Sequence, residues 1–335
     1  MLVAIGVLAA LGALVATSYL VERLRTAPAA PATLPWAPDI PVRWVSAGGV
    51  RLRYIVAGHG SPLVLLHTMR TQLDLFQRVI PSLAQRYRVY ALDLPGHGYS
   101  DISPAEHTAE FIIDKVAAFL ERLEIDGAVL VGESIGATVA LALAGRRNPR
   151  VRAVVAISTY DYDRGRGARR GSALAALLFS LGEVPVVGGT VMRLRSFPIV
   201  RRVFEAGIHR LRSLPEPLVR EMYQVGERPG HYRAFMSLVR NWPTWEAVRA
   251  AYGGINRPVL LVYGDHDWSR TEERLATARL IPGAELRTVA NAGHFLSIDA
   301  PEETLELVTG FVDRLPPSAP SGLRPPSARA GSHPG

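Results

Sequence analysis

The chain has 335 residues, a hydrophobic content of 48% and a formal net charge of +8. This length suits one large α/β domain with an insertion, or two small domains, and the apolar content is sufficient for a core. The chain contains no cysteine, which excludes disulfides, thiol catalysis and thiolate metal sites. The basic charge comes without a lysine cluster or a nucleic-acid-binding motif, so we expect no nucleic-acid partner and favour an anionic membrane surface.

The N-terminal stretch from Met1 to Val21 carries no charged side chain. As a helix it would be about 31 Å long, which matches the hydrocarbon thickness of a bilayer. We predict a single transmembrane anchor over residues 1–21. A cleaved signal peptide is the rival interpretation, although no basic stretch precedes the apolar run, and a buried soluble helix is the third. The arginines that follow, Arg23 and Arg25, only weakly favour a cytoplasmic domain, so the side of the membrane stays open.

The segments at either end of the predicted domain have biased compositions. Residues 22–41 are rich in Pro and Ala, which predicts an extended linker between anchor and domain. Residues 316–335 contain almost no large apolar side chains, which predicts a disordered tail. The folded unit is therefore expected over residues 42–315.

Within that unit, β-like runs alternate with helical patterns. Two runs in residues 42–57 meet at Gly48 and Gly49, which predicts a hairpin. Later strands are separated by helices, one of which is predicted to begin at Ser103 and Pro104, where a cap precedes a proline. This alternation predicts an α/β fold with a mostly parallel sheet and helices on both faces.

The alternation is interrupted once, between Thr159 and Arg257, before an apolar strand pattern returns at residues 258–264. The interrupted region is helical in pattern. We predict a helical cap at about residues 160–252, inserted over the C-terminal edge of the sheet, where open α/β sheets keep their sites.

The central motif is the Gly132-x-Ser134-x-Gly136 sequence. The apolar residues 128–131 predict a buried strand and the run from Ile135 predicts a helix, so the motif forms the turn between them. This spacing is typical of a nucleophile elbow, in which the strained serine requires small residues two positions away on either side. The pattern alone occurs by chance, so its interpretation depends on a base, an acid and an oxyanion hole elsewhere in the chain.

Three further motifs complete the pattern. The sequence GDHD at residues 264–267 follows the restored strand, the sequence GH at residues 293–294 lies near the end, and the sequence DLPGHGYS spans residues 93–100. Ser134 and the first two of these motifs occur in the order nucleophile, acid, base, and the third resembles a structural turn of the same family. On these motifs the chain resembles enzymes of the α/β-hydrolase fold, over the whole folded unit except the cap.

The resemblance implies a role for each residue of a triad. His294 would remove the proton of the Ser134 hydroxyl, and Asp267 would hold the imidazole in the required tautomer. Asp265 is the nearer alternative acid, and Asp161 matches a second acid position used by some relatives. The resemblance implies neither a metal nor a cofactor.

The oxyanion loop departs from the family pattern. Family members usually have His-Gly after the third strand, whereas this chain has His67-Thr68. An alignment without gaps keeps the backbone amides of Met69 and Ile135 as the expected oxyanion donors. Because threonine does not readily adopt glycine conformations, the loop could take another path and offer the Thr68 hydroxyl as a donor.

Several residues are candidates for substrate contact. Arg70 is predicted to hold a substrate carboxylate or phosphate, the alternative being a surface arginine paired with Asp74. Trp268 is a candidate pocket wall, with simple packing as the alternative. The apolar stretch 173–192 predicts a channel for an acyl chain or a second membrane contact. Glu133 is predicted to face away from the site.

A serine at the nucleophile position indicates acyl transfer at a carbonyl carbon, not displacement at saturated carbon. We therefore predict a membrane-anchored serine hydrolase that cleaves a carboxylic ester or related acyl bond of a small or lipid-like substrate. An acyltransferase or a carbon–carbon bond hydrolase would use the same triad. A catalytically silent binding protein is the alternative from another class.

Overall fold

The structure, a computed structural model, describes residues 1–316. The predicted tail from residue 317 onward lies outside the described residues. The strands are β1 (Thr33–Leu34), β2 (Ala37–Pro41), β3 (Arg43–Ala47), β4 (Val50–Ala57), β5 (Pro62–Leu66), β6 (Arg88–Leu92), β7 (Ala128–Glu133), β8 (Val151–Ile157), β9 (Val259–Gly264) and β10 (Glu285–Val289). The helices are α1 (Leu2–Arg23), α2 (Ile80–Leu83), α3 (Ala109–Arg122), α4 (Ile135–Gly145), α5 (Ala173–Gly182), α6 (Val187–Arg193), α7 (Phe197–Glu205), α8 (Glu216–Val225), α9 (His231–Arg240), α10 (Pro243–Ala247), α11 (Thr271–Leu280), α12 (Leu296–Asp299) and α13 (Pro301–Asp313).

Strands β3 to β10 form one eight-stranded sheet in the order β10-β9-β8-β7-β5-β6-β4-β3. Strand β4 pairs antiparallel with β3 and β6, and every other pairing in this sheet is parallel. The predicted hairpin is the β3–β4 pair. The predicted α/β-hydrolase architecture, a mostly parallel sheet with helices on both faces, is confirmed.

The central strands are apolar along their whole length because both faces of the sheet are covered. In β7, Val129 and Val131 pack into one core, and Leu130 packs into the core on the opposite face. This alternation follows from the two-residue period of a strand. Helix α4, which follows β7, has residues Ile135 to Ala144 all buried. The elbow between them is therefore fixed by packing on every side.

The cap lies between β8 and β9 and contains helices α5 to α10. Helices α7, α8 and α9 are amphipathic, with buried apolar residues such as Phe204, Met222 and Phe235 toward the domain. The inserted helical cap is therefore present where the interrupted strand pattern predicts it.

Helix α1 has a mean hydropathy of 2.1, and only 6% of its most apolar window is buried. Its length and composition would allow it to cross a membrane, and a signal sequence would pass the same test. Its C-terminal end contacts the cap. Arg193 Nε donates to Ser18 Oγ at 2.9 Å, and the Arg193 guanidinium lies 3.7 Å from the centroid of the Tyr19 ring.

The segment predicted to be an extended linker is different in the structure. Strands β1 and β2 pair antiparallel within residues 33–41. Leu34 is fully buried, and Trp36 Nε1 donates to Asp74 Oδ1 at 2.7 Å. These two side chains tie the segment to the domain, and composition alone did not indicate this contact.

The predicted start of a helix at Ser103 is wrong. Helix α3 begins after Thr108, whose hydroxyl accepts a hydrogen bond from Phe111 N at 3.1 Å. The backbone N–H of His107 donates to Ser237 Oγ of the cap at 2.9 Å. This tertiary bond holds the preceding segment out of the helix, so the local capping signal at Ser103 is overridden.

Candidate active site

The nucleophile elbow has the strained backbone that the motif predicts. Ser134 has φ 59° and ψ −117°, in a region that disfavours L-residues. A Cβ atom on Gly132 would collide with the carbonyl of Gly136, and one on Gly136 would collide with the carbonyl of Leu66. Ser134 N donates to Ile157 O at 2.9 Å, which ties the turn to β8. Glycine is therefore required at both positions.

Hydrogen bonds connect Ser134 to His294 and His294 to Asp267. His294 Nε2 is 2.9 Å from Ser134 Oγ, and His294 Nδ1 is 2.8 Å from Asp267 Oδ2. The side chains of His294 and Asp267 have no exposed surface, and neither does Ser134. With Nδ1 donating to the carboxylate, Nε2 can accept the serine proton, which is the arrangement a general base requires.

The surroundings of Asp267 keep it ionised. Burial alone would raise the pKa of Asp267, but the neighbouring His294 and the hydrogen bonds from His294 and Ser269 hold this pKa below its usual range. Ser269 N donates to Asp267 Oδ1 at 2.7 Å, so the oxygen that does not face the imidazole is also satisfied.

The two alternative acids lie elsewhere. Asp161 accepts hydrogen bonds from Thr159 Oγ1 at 2.6 Å and Thr277 Oγ1 at 3.3 Å, and burial raises its pKa. Asp265 accepts from the backbone N–H of Ala292 at 3.1 Å. Among the described residues, neither carboxylate is hydrogen-bonded to His294.

The histidine loop is held from the cap side, a feature that no sequence motif indicates. His294 N donates to Gly207 O at 2.8 Å. Asp299 accepts hydrogen bonds from Gly293 N at 2.6 Å and from His209 N at 2.7 Å. One buried carboxylate therefore joins the loop that carries the base to the segment after α7.

Trp268 packs directly on the imidazole of His294. Its ring and the His294 ring are stacked, with centroids 3.8 Å apart and an angle of 13° between the planes. Trp268 Nε1 donates to Ala206 O at 3.0 Å. The residue predicted as a pocket wall thus also contacts the base.

The oxyanion loop is fixed by His67. Leu94 N donates to His67 Nε2 at 2.8 Å, so the proton is on Nδ1, which donates to Thr68 O at 2.7 Å. Among the described residues, the backbone amides of Met69 and Ile135 have no hydrogen-bond acceptor. Both amides, the predicted oxyanion donors, therefore remain available for a ligand.

The departure from the family pattern at Thr68 is accompanied by an unusual backbone conformation two residues later, at Arg70. Thr68 keeps a negative φ, and Arg70 instead has φ 56°. Thr68 Oγ1 is buried and has no hydrogen-bond partner within residues 1–316. Arg70 is not paired with Asp74, whose carboxylate contacts Arg53 at 3.4 Å, so the predicted alternative pairing is absent from the described structure.

Glu133, beside the nucleophile, is buried and does not enter the triad. Its Oε1 accepts from Ser297 N at 3.3 Å, and its Oε2 has no partner in the part of the chain that the structure describes. Burial raises the pKa of Glu133 to about 7, and the nearby charge of Asp267 acts in the same direction.

An apolar cavity lies between the cap and side chains that pack on His294. Trp268 and Phe295, both in contact with the His294 ring, line it together with Met69. Cap side chains from the apolar stretch 173–192 also line it, namely Leu178, Phe179, Val191 and Met192. Within residues 1–316 no cluster of three or more His, Asp or Glu side chains is placed to hold a metal ion.

The chain is similar to known proteins of one fold family. A model of the alpha/beta hydrolase fold family matches residues 61–301. The 2-(acetamidomethylene)succinate hydrolase of Mesorhizobium japonicum is 28% identical over 278 residues, which cover 81% of this chain and 95% of the relative. The 2-hydroxymuconate semialdehyde hydrolase of Pseudomonas sp. is 28% identical over 280 residues, with 81% and 93% covered.

Among solved structures, one described as a membrane phospholipase A superposes with a TM-score of 0.69 at 24% identity, covering 93% of this chain and 94% of that one. At this identity the likeness concerns the fold. Together with the family match over most of the hydrolase domain, these findings establish that the chain belongs to the alpha/beta hydrolase fold family and is a hydrolase.

Proposed function

We propose that the protein is a serine hydrolase, anchored in a membrane by α1, that cleaves the carboxylic ester of a substrate with a long acyl chain. The observation that carries the proposal is the apolar cavity between Trp268, which stacks on His294, and a cap that contacts α1. An apolar cavity of this kind can bury the hydrocarbon of an acyl chain, which favours binding by about 0.8 kcal/mol per methylene.

The chemistry follows from the proposed triad. Ser134 Oγ attacks the ester carbonyl while His294 Nε2 takes its proton, and the negative charge develops on the carbonyl oxygen. The free amides of Met69 and Ile135 supply the donors for that oxygen. His294 then gives the proton to the leaving alcohol. Water, deprotonated by the same nitrogen, attacks the acyl-enzyme and releases the acid.

The cap surface supports a membrane substrate. Leu177, Val184 and Val186 of the α5–α6 region are 55%, 46% and 65% exposed. Helix α6 begins directly after Val186 and packs against α1. An apolar patch beside a membrane anchor can contact the bilayer, which removes the surface of the patch from water. The cavity and its cap would then be positioned at the lipid surface.

The match to the structure described as a membrane phospholipase A extends beyond the hydrolase domain. Its match covers 93% of this chain, a share larger than residues 42–315 can supply, so part of the N-terminal segment is included. The likeness shows a shared fold, and the proposal that this chain also acts on membrane lipid rests on the cavity and the anchor.

A second candidate function is hydrolysis of a carbon–carbon bond. It is favoured by the 28% identity to 2-hydroxymuconate semialdehyde hydrolase and by the cation Arg70, which lies beside the proposed oxyanion amide and has no ion-pair partner in the described part of the chain. The same triad can serve either bond. Esters of increasing acyl length separate the two functions. An enzyme that binds acyl chains in the cavity cleaves long-chain esters faster than short ones. An enzyme for a small polar substrate does not use the apolar cavity and shows no such preference.

The first experiment is labelling of the full-length protein in detergent with a fluorophosphonate. Wild-type protein and a His266→Ala control, whose side chain is exposed and stacked on His209, should label. Ser134→Ala and His294→Ala should not. Folded wild type that fails to label would contradict the proposed triad and favour a binding protein.

Rates on p-nitrophenyl esters of increasing chain length then test whether the cavity binds acyl chains. A preference for short chains contradicts this role of the cavity.

A transferase is distinguished by the acceptor. If the acyl group passes mainly to an alcohol or lipid, added acceptor raises the rate of ester cleavage and the acyl group is recovered on that acceptor. If water is the acceptor, free acid accounts for the acyl group released, which is the expected result.

A further inference from the structure

Arg70 is a cation in the wall of the cavity, and within residues 1–316 it has no counterion. Its side chain is half-buried, lines the cavity, and lies 4.8 Å above the ring of Phe235. Among the described residues it takes part in no ion pair and no side-chain hydrogen bond, although most arginines around it do. A guanidinium carries five N–H donors, and here none of them has an acceptor from the protein.

The neighbouring charged side chains do not neutralise it. Arg195, also at the cavity wall, is paired with Glu22 of α1 at 2.7 Å, and Arg228 donates to the carbonyl of Ser100 at 3.0 Å. Burial, followed by the charge of Arg195, lowers the pKa of Arg70 to about 9, which leaves it charged at neutral pH. A cation is therefore kept in an apolar site beside another cation, an arrangement that an anionic ligand would stabilise.

The backbone at this position is also unusual. Arg70 has φ 56°, in the left-handed region that favours glycine, within a turn that also positions Met69. Strained residues persist where the surrounding structure holds them, and they concentrate at ligand-binding sites. The Arg70 side chain lines the cavity, whose apolar wall does not require a charge for its packing.

We propose that Arg70 binds an anionic oxygen group of the substrate, a phosphate or a carboxylate, that lies within a few bonds of the scissile ester. This inference rests on the proposed ester hydrolysis. The Cα atoms of Met69 and Arg70 are neighbours in the chain and therefore about 3.8 Å apart. If the amide of Met69 holds the carbonyl oxygen of an ester, the Arg70 guanidinium can approach a substituent of the same ester. The planar fork of arginine suits phosphate and carboxylate, which both accept two parallel hydrogen bonds.

The position of Arg70 relative to the anchor indicates where such an anion is found. The neighbouring Arg195 bonds Glu22, which lies at the C-terminal end of α1, and that end is expected at the surface of the bilayer. Lipid phosphates lie at the same depth. An ester whose acyl chain occupies the cavity and whose phosphate occupies the Arg70 site has the layout of a glycerophospholipid.

The test compares pairs of substrates with the same acyl ester, one member with an anionic group beside the ester and one without. Dilauroyl phosphatidylglycerol and dilauroylglycerol form the phosphate pair, and O-lauroyl lactate and its methyl ester form the carboxylate pair, all in detergent micelles. Wild type should hydrolyse the anionic member faster. Arg70→Gln should lower kcat/KM on that member roughly 10- to 100-fold, and less than about 3-fold on the neutral member, with partial retention in Arg70→Lys. Arg233→Gln, an exposed cap arginine, is the matched control.

Each outcome decides a separate point. A loss confined to the phosphate pair assigns the site to a phosphate, and a loss confined to the carboxylate pair assigns it to a carboxylate. Equal losses on charged and neutral members, or no loss, overturn the assignment of Arg70. If Arg70→Gln does not fold, a wild type without preference within either pair overturns it as well. Failure of ester hydrolysis itself appears earlier, as wild-type protein that is not labelled by a fluorophosphonate.

Discussion

The indole of Trp268 lies flat against the imidazole of His294, with ring centroids 3.8 Å apart. The indole is itself held by its hydrogen bond to Ala206 O at 3.0 Å. The imidazole is thus fixed in its plane by the bond to Asp267 at 2.8 Å and against rotation out of that plane by the stack. The cap supplies the acceptor, so packing of the cap and orientation of the base are linked.

Replacing Trp268 should therefore reduce turnover as well as binding. Trp268→Ala removes the stack, so we expect kcat on a short ester to fall roughly 10- to 100-fold, because a misplaced base costs about that much. Trp268→Phe keeps an aromatic face and should retain more activity. Steady-state kinetics with a butyrate ester, which does not fill the cavity, make the measurement. A change in KM for long esters only, with kcat unaltered, would mean that Trp268 is a pocket wall and nothing more.

The acid of the triad can be identified by a pair of matched substitutions. Asp267→Asn should lower kcat by roughly 10³- to 10⁴-fold, because the amide cannot hold the required tautomer of His294. Asp161→Asn should leave kcat close to wild type, since Asp161 bonds the hydroxyls of Thr159 and Thr277. Both side chains are buried, so thermal unfolding of each variant provides the control for folding. An inactive Asp161→Asn beside an active Asp267→Asn would reverse the assignment.

The sequence predicts the elements whose signals are local. The strand before Ser134, the elbow and the order of the later motifs depend on short-range patterns, and the structure has all of them. The contacts around His294 could not be predicted in this way. Asp299 and Gly207 accept hydrogen bonds from the backbone amides of the histidine loop, at 2.6 Å and 2.8 Å. No local sequence pattern indicates these contacts.

Long-range contacts also explain why two predictions, the helix start at Ser103 and the extended linker, were wrong. Ser103 carries a local helix-capping signal, but the bond from His107 N to Ser237 outweighs it. Likewise, Pro and Ala predict an extended linker before residue 42, whereas the burial of Leu34 and the bond from Trp36 to the domain are tertiary events. Local propensity is a weak prior where a long-range contact is available.

The buried carboxyl of Glu133 should make stability depend on pH. Its pKa in the folded state is about 7, above the usual 4.5, so the folded protein retains the proton more strongly than the unfolded chain. The resulting stabilisation is complete below pH 4.5 and is lost as the pH rises through 7. Glu133→Gln removes this titration, so its free energy of unfolding should rise relative to wild type between pH 5 and pH 8, by up to about 3 kcal/mol.

Chemical denaturation at a series of pH values measures this difference. Glu272→Gln, at an exposed position of α11, is the matched control and should follow the wild-type curve. Parallel curves for Glu133→Gln and wild type across the range would show that Glu133 does not titrate near neutral pH.

The junction of α1 and the cap depends on Arg25. Its guanidinium donates to Glu227 Oε1 at 2.7 Å and to the carbonyl oxygens of Arg193 and Arg195 at 3.0 and 2.9 Å. Because Arg195 also lines the cavity, the Arg25 side chain connects the end of α1 with the cavity wall. Charge-assisted hydrogen bonds contribute about 1.5–3 kcal/mol, so Arg25→Ala should loosen this part of the cap.

Hydrogen–deuterium exchange of the full-length protein in detergent makes the measurement. Exchange over α6 and α8 should accelerate about 10-fold or more in Arg25→Ala, since a tenfold change in an opening equilibrium corresponds to about 1.4 kcal/mol. Arg23→Ala removes an exposed arginine from the same helix end and should leave exchange unchanged. Equal exchange in both variants and wild type would mean that the cap holds its shape independently of α1, because the bonds of Arg25 would then contribute nothing to its stability.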